Sequence, residues 1–582
     1  MTMLSFLGLF LLFGTSCGQE PFDGIDHKSY TDWLQSVSYI RSIYLPGSSS
    51  GEGAAVHWSL LGDEIHLAVA VRATGWAAFG ISENGGMRGA DMLIFNAEDE
   101  ELVDAYVLDD LFPLVDACQS WTLRNAQVDN GFLIFEASRL LNTGDTQDKP
   151  LFDDSSILIP ANRIIAAWGD QPSYAYHGPN RARGSIRFFG NAVGDASEIF
   201  QNVMDTEAEG SFELRANDFL IPTRATEYKS FCFLESDLIE GGMPEDISLH
   251  SIGIEPIVDE RSALHVHHFL IYGSTDPNSC GSLEVVYAWA PGTEPMRLPP
   301  TVGIPLGTGG FRALRVQIHY NNPSNDFGVL DSSGVRVFYT RQKREFDLGS
   351  FLIGDPLIGL RGEPVGNGLA AHDFMCRSEC SAWLTQPVTV LFESLHMHAS
   401  GRRMINSQIR DSSVIRAGVA DYFDFDQQGS LRVIQEPFVL QPGDAFQTRC
   451  YYDSKGGEFG EGSADEMCIA FLFYYPRQMI LDRFSYTCGY DYPFPACSTD
   501  WTHEDLTSAA DLDRSFGPAP TVCPQAPPPK RPPAPVEATA TPVTPSPTPV
   551  TPSPTPSGSS SKSTVLSGIL ALFGFAVYRY IG

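Results

Sequence analysis

Long stretches with the three-to-four-residue apolar spacing of a helix are rare between residues 60 and 476 of this sequence. Short runs in which apolar and polar residues alternate dominate instead, among them IHLAVAVRA (65–73), GFLIFEA (131–137), HVHHFLIYG (265–273), LRVQIHYN (314–321), VRVFYT (335–340) and CIAFLFYYP (468–476). Alternation puts successive side chains on opposite faces of a strand, so one face of each run can enter a core while the other meets water. Gly, Asn, Asp and Pro punctuate the runs and supply the turns. The pattern predicts an all-β chain of antiparallel sandwiches. With 582 residues, a single core is too small a container, and three or four domains are expected.

A charged passage of low apolar content, Asp205 to Gly210, reads as a linker between a first unit, about 26–200, and a second, about 211–515; RQKRE (341–345) suggests a further division near 345. The ends differ from the middle. An apolar stretch from Leu4 to Phe13, followed by Ser16 and Gly18, reads as a signal peptide over 1–18, cleaved before Gln19. From 524 to 562 the chain is rich in Pro, Thr and Ser and repeats TPVTPSP at 541–547 and 548–554. Such a composition cannot bury a core and reads as an extended stalk. The apolar run Val565–Val577, within 563–582, reads as a glycolipid-anchor signal or a single-span anchor. The expected location is therefore the secretory pathway, ending extracellular or at the cell surface, with membrane contact through the C-terminal tail.

Eleven cysteines are present, and ten remain once Cys17 leaves with the leader. An even set in an exported chain reads as disulfides. The balance of 38 basic against 71 acidic residues gives a net charge of −33, which repels phosphate backbones and argues against nucleic acid as a partner.

Histidine carries the chemical signal. His265-Val266-His267-His268 opens one apolar strand, Gln317-Ile318-His319-Tyr320 lies in another, and His396-Met397-His398 closes a third; Met467 follows downstream. Residues two apart on a strand share a face about 6.8 Å from each other, so His396 and His398 can chelate one ion. His267 and His268 point to opposite faces of a regular strand and can share an ion only if the strand bulges or ends there. A lone strand histidine is usually a hydrogen-bonded core residue, and that reading covers His27, His57, His66, His250, His372 and His503. It covers His267/His268 and His396/His398 poorly. Imidazoles suit copper, zinc, iron or nickel, and a thioether beside them favours copper.

These segments resemble the copper type II, ascorbate-dependent monooxygenases, and within them the dopamine-beta-hydroxylase-like group. The matching stretches are NDFLIPTRATEYKSFCF (217–233), HVHHFLIYG (265–273), VQIHYNNP (316–323), SSGVRVFYT (332–340), LHMHASGRR (395–403) and DEMCIAFLFYYP (465–476). The resemblance implies two antiparallel β-sandwich (jelly-roll) copper domains, 211–345 and 346–515, and two coppers per chain. His267, His268 and His319 would hold the copper that stores an electron; His396, His398 and Met467 would hold the one where O2 and substrate meet. No catalytic residue beyond these ligands is implied. Ascorbate would be the reductant, and a C–H bond of a small molecule, by analogy a phenethylamine-type amine, would be hydroxylated. Gln317, Ser394 and Phe471 would line the substrate cleft. The peptide-amidating relatives keep an arginine where Ser394 stands, so a peptide substrate is not expected. The resemblance also implies Cys450–Cys468, Cys232–Cys280 and Cys376–Cys488, and leaves Cys118, Cys380, Cys497 and Cys523 unassigned. A cysteine of the first unit that relatives keep near Gly144 is missing here, which puts their link from first unit to tail in doubt.

Residues 35–190 resemble a DOMON domain through GWAAFGISENGGMRGADMLIF (75–95), ACQSWTL (117–123) and YHGPNRARGSIR (176–187). Met87 and His177 fall where haem-binding DOMON domains keep their axial pair; the alternative is that Met87 packs and His177 bonds within its own turn. Two competing functions stay open at this point. A zinc hydrolase would need a carboxylate base beside the metal, and no HExxH-like motif is present. A non-catalytic extracellular binding or matrix protein could keep the fold, although every ligand position is filled.

Overall fold

The computed structural model describes residues 22, 25–48, 53–108, 111–155, 161–190, 196–281, 284–428, 432–478, 485–508, 512, 517 and 519–523. The leader, stalk and apolar tail expected from the sequence lie outside them. Among the described residues no helix is long and apolar enough to cross a membrane.

The first unit pairs two antiparallel sheets. One runs Arg41–Leu45, Ala54–Leu61, Glu64–Val71, Phe132–Leu140, Thr122–Asp129 in spatial order; the other runs Arg181–Ile186, Asn162–Gly169, Trp76–Ser82, Asp91–Asn96, Glu101–Val107, Pro113–Val115. Strand Glu64–Val71 shows why the sequence folds this way. Leu67, Val69 and Val71 point into the sandwich with Phe79, Phe95 and Phe135. Ala68 and Ala70 face the other way, and being small they let the helix Lys28–Ser36 approach and cover them with Tyr30, Trp33 and Leu34. Both faces are thus buried, at about 25 cal/mol for each Å² of apolar surface removed from water.

Asp205–Gly210, expected to be a linker, is instead structured. It completes the helix Ala196–Glu207 and opens the strand Gly210–Arg215. Phe200 and Met204, four residues apart, share a helix face and bury against Ile252 and Phe338. The acidic residues on the outer face disguised that amphipathic spacing.

The second unit has one sheet in the order Gly210–Arg215, Gly334–Thr340, Ser248–Ile257, Val302–Gly307, Phe346–Asp347, and another in the order Thr226–Phe233, Ala313–Asn321, Val266–Ser274, Glu284–Trp289. The strands between 349 and 505, here the third unit, form one hydrogen-bonded path of ten, antiparallel except where Ser485–Tyr490 joins its two neighbours. Second and third units share a core: Val316, Ile318 and Tyr320 belong to the same apolar cluster as Leu391, Ile469, Phe471 and Phe473. Arg477 and Glu284, both buried, pair across this contact at 2.6 Å.

Five disulfides join Cys118 to Cys523, Cys232 to Cys280, Cys376 to Cys488, Cys380 to Cys497 and Cys450 to Cys468. The first corrects the doubt raised by the missing cysteine near Gly144: Cys118 supplies the link from the first unit to the tail by another route.

Candidate metal centre

Val266–Ser274 and Ala313–Asn321 are neighbouring antiparallel strands, with His268 directly opposite His319. Between Val266 and His268 the register slips by one residue. That bulge is the irregularity that two adjacent histidines require if both are to face one ion. His267, His268 and His319 are all buried, and one ring nitrogen of each lies within 4.8 Å of the others. His267 Nδ1 is 3.1 Å from His268 Nδ1, which is 3.4 Å from His319 Nδ1. Nitrogens converging at that spacing cannot all satisfy one another and leave lone pairs for a cation.

His396 ends the strand Val388–His396, and His398 sits two residues on, ring centroids 5.2 Å apart. The turn after His398 is held by the buried Glu466 carboxylate, which accepts the N–H groups of His398 (3.0 Å) and Ser400 (2.6 Å). Met467 follows Glu466; its carbonyl accepts the Tyr452 hydroxyl at 2.7 Å, and Cys468 is tied to Cys450.

The outer ring nitrogens fix which inner nitrogens are free. His267 Nε2–H donates to the Phe425 carbonyl (3.1 Å), His396 Nδ1–H to Gln428 Oε1 (2.7 Å), and His398 Nδ1–H to the carbonyls of Gly462 and Asp465 (2.9 and 3.0 Å). A ring that donates from one nitrogen keeps an unprotonated lone pair on the other. His398 Nε2 is buried and has no hydrogen-bond partner, the mark of an atom meant for a ligand. Burial, reinforced by repulsion between the rings, also strips protons: His267 and His396 are pushed down to about 3 and His398 to about 4, while His268 and His319 are driven well below the ordinary histidine value. Neutral imidazole is the metal-binding form. The donor set of five such rings with a nearby thioether fits copper.

The resemblance implies two copper domains, yet the two groups adjoin: His268 lies 5.2 Å from His396 and His319 5.9 Å from His398, centroid to centroid. The shared core of the second and third units brings the sheet ends face to face, so the five rings form one cluster.

Sequence comparison matches residues 212–326 to the N-terminal domain, and residues 364–489 to the C-terminal domain, of copper type II ascorbate-dependent monooxygenases; residues 50–162 match the DOMON domain. The chain thus carries both domains of the copper type II ascorbate-dependent monooxygenases behind a DOMON domain. Human DBH-like monooxygenase protein 1 is 28% identical over 452 residues, covering 72% of this chain and 71% of that protein. Bovine dopamine beta-hydroxylase is 28% identical over 298 residues (46% and 47%), and tyramine beta-hydroxylase of Caenorhabditis briggsae 26% over 429 residues (69% and 70%). Copper and ascorbate are the cofactors of this family.

A cleft of about 230 Å³ opens beside the cluster, and His268, His396 and Met467 contribute to its wall. Gln317, Ser394 and Phe471 line it, together with Tyr228, Tyr272, Trp289 and Glu461. Sequence reasoning missed Phe425, Gln428 and Ser463, the last 3.0 Å from His319 Nε2, because single Phe, Gln and Ser residues in loops carry no periodic signal. Tyr228, stacked on His319 at 4.3 Å, sits in the strand Thr226–Phe233, where a lone aromatic side chain reads as ordinary sheet packing. In the DOMON unit Met87 packs beside Trp76, Met92 and Ile165. His177 Nδ1 bonds with the adjacent Gly178 carbonyl at 3.0 Å and its ring stacks on Tyr176.

Proposed function

We propose that the chain hydroxylates a C–H bond of a small aromatic amine, with His267, His268 and His319 holding one copper and His396, His398 and Met467 holding a second. The observation that carries this reading is the convergence of five buried, neutral imidazoles beside a cleft that Met467 also lines. Bound copper supplies one-electron exchange with ascorbate and activation of O2. In balance, one oxygen atom enters the C–H bond and the other leaves as water, with two electrons and two protons consumed.

The chain's own residues have four tasks. Outer acceptors orient the rings, as carbonyl and amide partners do at metal sites generally. Burial keeps the imidazoles unprotonated. Tyr228, Tyr272, Trp289 and Phe471 give an aromatic body a dry surface, and Glu461, which pairs with Arg361 at 2.8 Å, is the wall carboxylate that an ammonium group would seek. The cleft is smaller than the roughly 300–1,000 Å³ of ordinary ligand pockets, which suits a single-ring substrate.

The test is oxygen uptake by copper-loaded protein with ascorbate across a panel of amines, alongside His396→Ala and Met467→Ala. Expected is product formation by the parent protein and a loss of about 100-fold or more in each variant; turnover that survives both substitutions sinks the mechanism. The five disulfides fit folding in an oxidising compartment, in keeping with the secretory pathway. Tethering through the tail belongs to the same proposal, and a full-length chain that partitions wholly into the aqueous phase of a detergent extraction would count against it.

A further inference from the structure

The loop that joins the two histidine groups is itself held by the DOMON unit. Asp421–Gln428 (DYFDFDQQ) runs from the end of strand Ser413–Ala420 through a short 3-10 turn, Phe425–Gln427. Toward the cluster, the Phe425 ring stacks on His267 at 3.9 Å and meets His398 edge-on at 5.5 Å. The Phe425 carbonyl accepts both His267 Nε2–H and the Gln428 amide N–H, each at 3.1 Å, while Gln428 Oε1 accepts from His396 Nδ1–H. A continuous hydrogen-bonded chain therefore runs from a histidine of the second unit to a histidine of the third.

On its other side the segment is gripped by the DOMON turn between strands Trp76–Ser82 and Asp91–Asn96. Asn84 Nδ2 donates to the Tyr422 carbonyl at 2.7 Å, and the Asp421 N–H donates to Glu83 Oε1 at 3.1 Å. Arg88 stands 3.8 Å from Asp424. Three glycines of the turn lie against the segment: a Cβ added at Gly85 would sit 3.2 Å from Gln427, one at Gly86 3.2 Å from Asp424, and one at Gly89 only 2.3 Å from the Tyr422 ring. Gly89 also has φ +65°, a conformation that side chains with a Cβ resist. Tyr422, Gln427 and Gln428 are buried by this contact and by the cluster. The DOMON turn thus holds the loop, and the loop in turn touches His267, His396 and His398.

We propose that the DOMON turn Glu83–Gly89 sets the distance between the two histidine groups, acting through Asp421–Gln428. Asn84 and Gly89 are positioning residues in this arrangement. Any event that shifts the DOMON turn is transmitted to Phe425 and Gln428, and through them to His267 and His396. The inference rests on the reading that the histidines hold copper, but its test does not depend wholly on that reading.

The experiment compares the full chain with Asn84→Ala and Gly89→Val variants. Two paramagnetic copper ions held by ring groups this close would broaden one another's electron paramagnetic resonance signals in the loaded, oxidised protein, and a parent protein without that broadening overturns the proposal. Expected in both variants is unchanged copper content with loss of that mutual broadening. In the metal-free full chain, labelling of histidines by diethyl pyrocarbonate is followed residue by residue. His267 and His396 should react about fivefold faster in Asn84→Ala, the population shift that removal of one hydrogen bond gives, while His57, His250 and His372 keep their parent rates. Full copper with unchanged broadening overturns the proposal, and so does an equal rise at all five histidines, which marks general loosening. Failure of the parent protein to bind copper counts against the metal reading alone, because the labelling arm still decides this one. If Gly89→Val does not fold, Asn84→Ala, which removes a side chain without adding volume, decides between the two outcomes.

Discussion

Met467 and the five histidines differ in how far their roles can be read from residue type. An imidazole pair in an apolar strand has few packing explanations, so His267/His268 and His396/His398 stand out in the sequence. Their tautomers do not, because these depend on Phe425, Gln428, Gly462 and Asp465, residues whose loops meet the strands only in the fold. Met467 is legible through the resemblance alone. Met467→Leu keeps volume and should cost less than about 1.5 kcal/mol of stability. It should nevertheless lower turnover about tenfold or more and release copper preferentially under reducing conditions, since the soft sulfur favours Cu(I); metal analysis with and without ascorbate checks this. A second prediction concerns Asp104, buried in the DOMON unit near Asp91, Asp148 and Arg139. Burial, then its two acidic neighbours, push it up to about 9. The folded state therefore keeps a proton that the unfolded chain releases near pH 4. The stability this contributes is complete below about pH 4 and is lost as pH rises toward 9, at up to about 1.4 kcal/mol per pH unit. Asp104→Asn should flatten the fall in melting temperature between pH 5 and pH 8; an identical slope in the two proteins refutes the assignment.

At the scale of single elements, the register slip between Val266 and His268 decides whether adjacent histidines converge. The sequence states the requirement but not its fulfilment, since a bulge depends on how the partner strand Ala313–Asn321 pairs. The helix Ala196–Glu207 shows the opposite limit. Charge on its outer face masked Phe200 and Met204, whose burial becomes evident only against Ile252 and Phe338. The 18-residue span closed by Cys450–Cys468 ends next to Met467. Removing it with Cys450→Ser/Cys468→Ser should cost about 3 kcal/mol, the chain-entropy value for a loop of this size. Copper bound by the His396/His398/Met467 group should weaken in parallel. Denaturant titrations with and without copper measure both, and a variant that loses stability but retains parent copper affinity would show that the disulfide does not position Met467.

Across the whole molecule, the three sandwiches were legible because alternation and turn residues repeat through most of the chain. The meeting of the second and third units was not, because a shared core such as Val316 and Ile318 with Phe471 and Phe473 leaves no mark on spacing within either unit. Arg477 and Glu284 sit inside that contact with under one-tenth of each side chain exposed. Glu284→Ala would strip the carboxylate from beside a buried guanidinium, and a cost of about 3–5 kcal/mol is expected. Unfolding by denaturant measures it, and a cost under about 1 kcal/mol, the range of exposed pairs, would mean that water reaches the arginine.

The Cys118–Cys523 bond closes a loop 405 residues around. A protease cut anywhere inside that loop leaves two fragments that still travel as one species on a non-reducing gel and separate only after thiol treatment. Clipped material can therefore pass for intact protein, carrying both halves of the histidine cluster, until its cystines are opened.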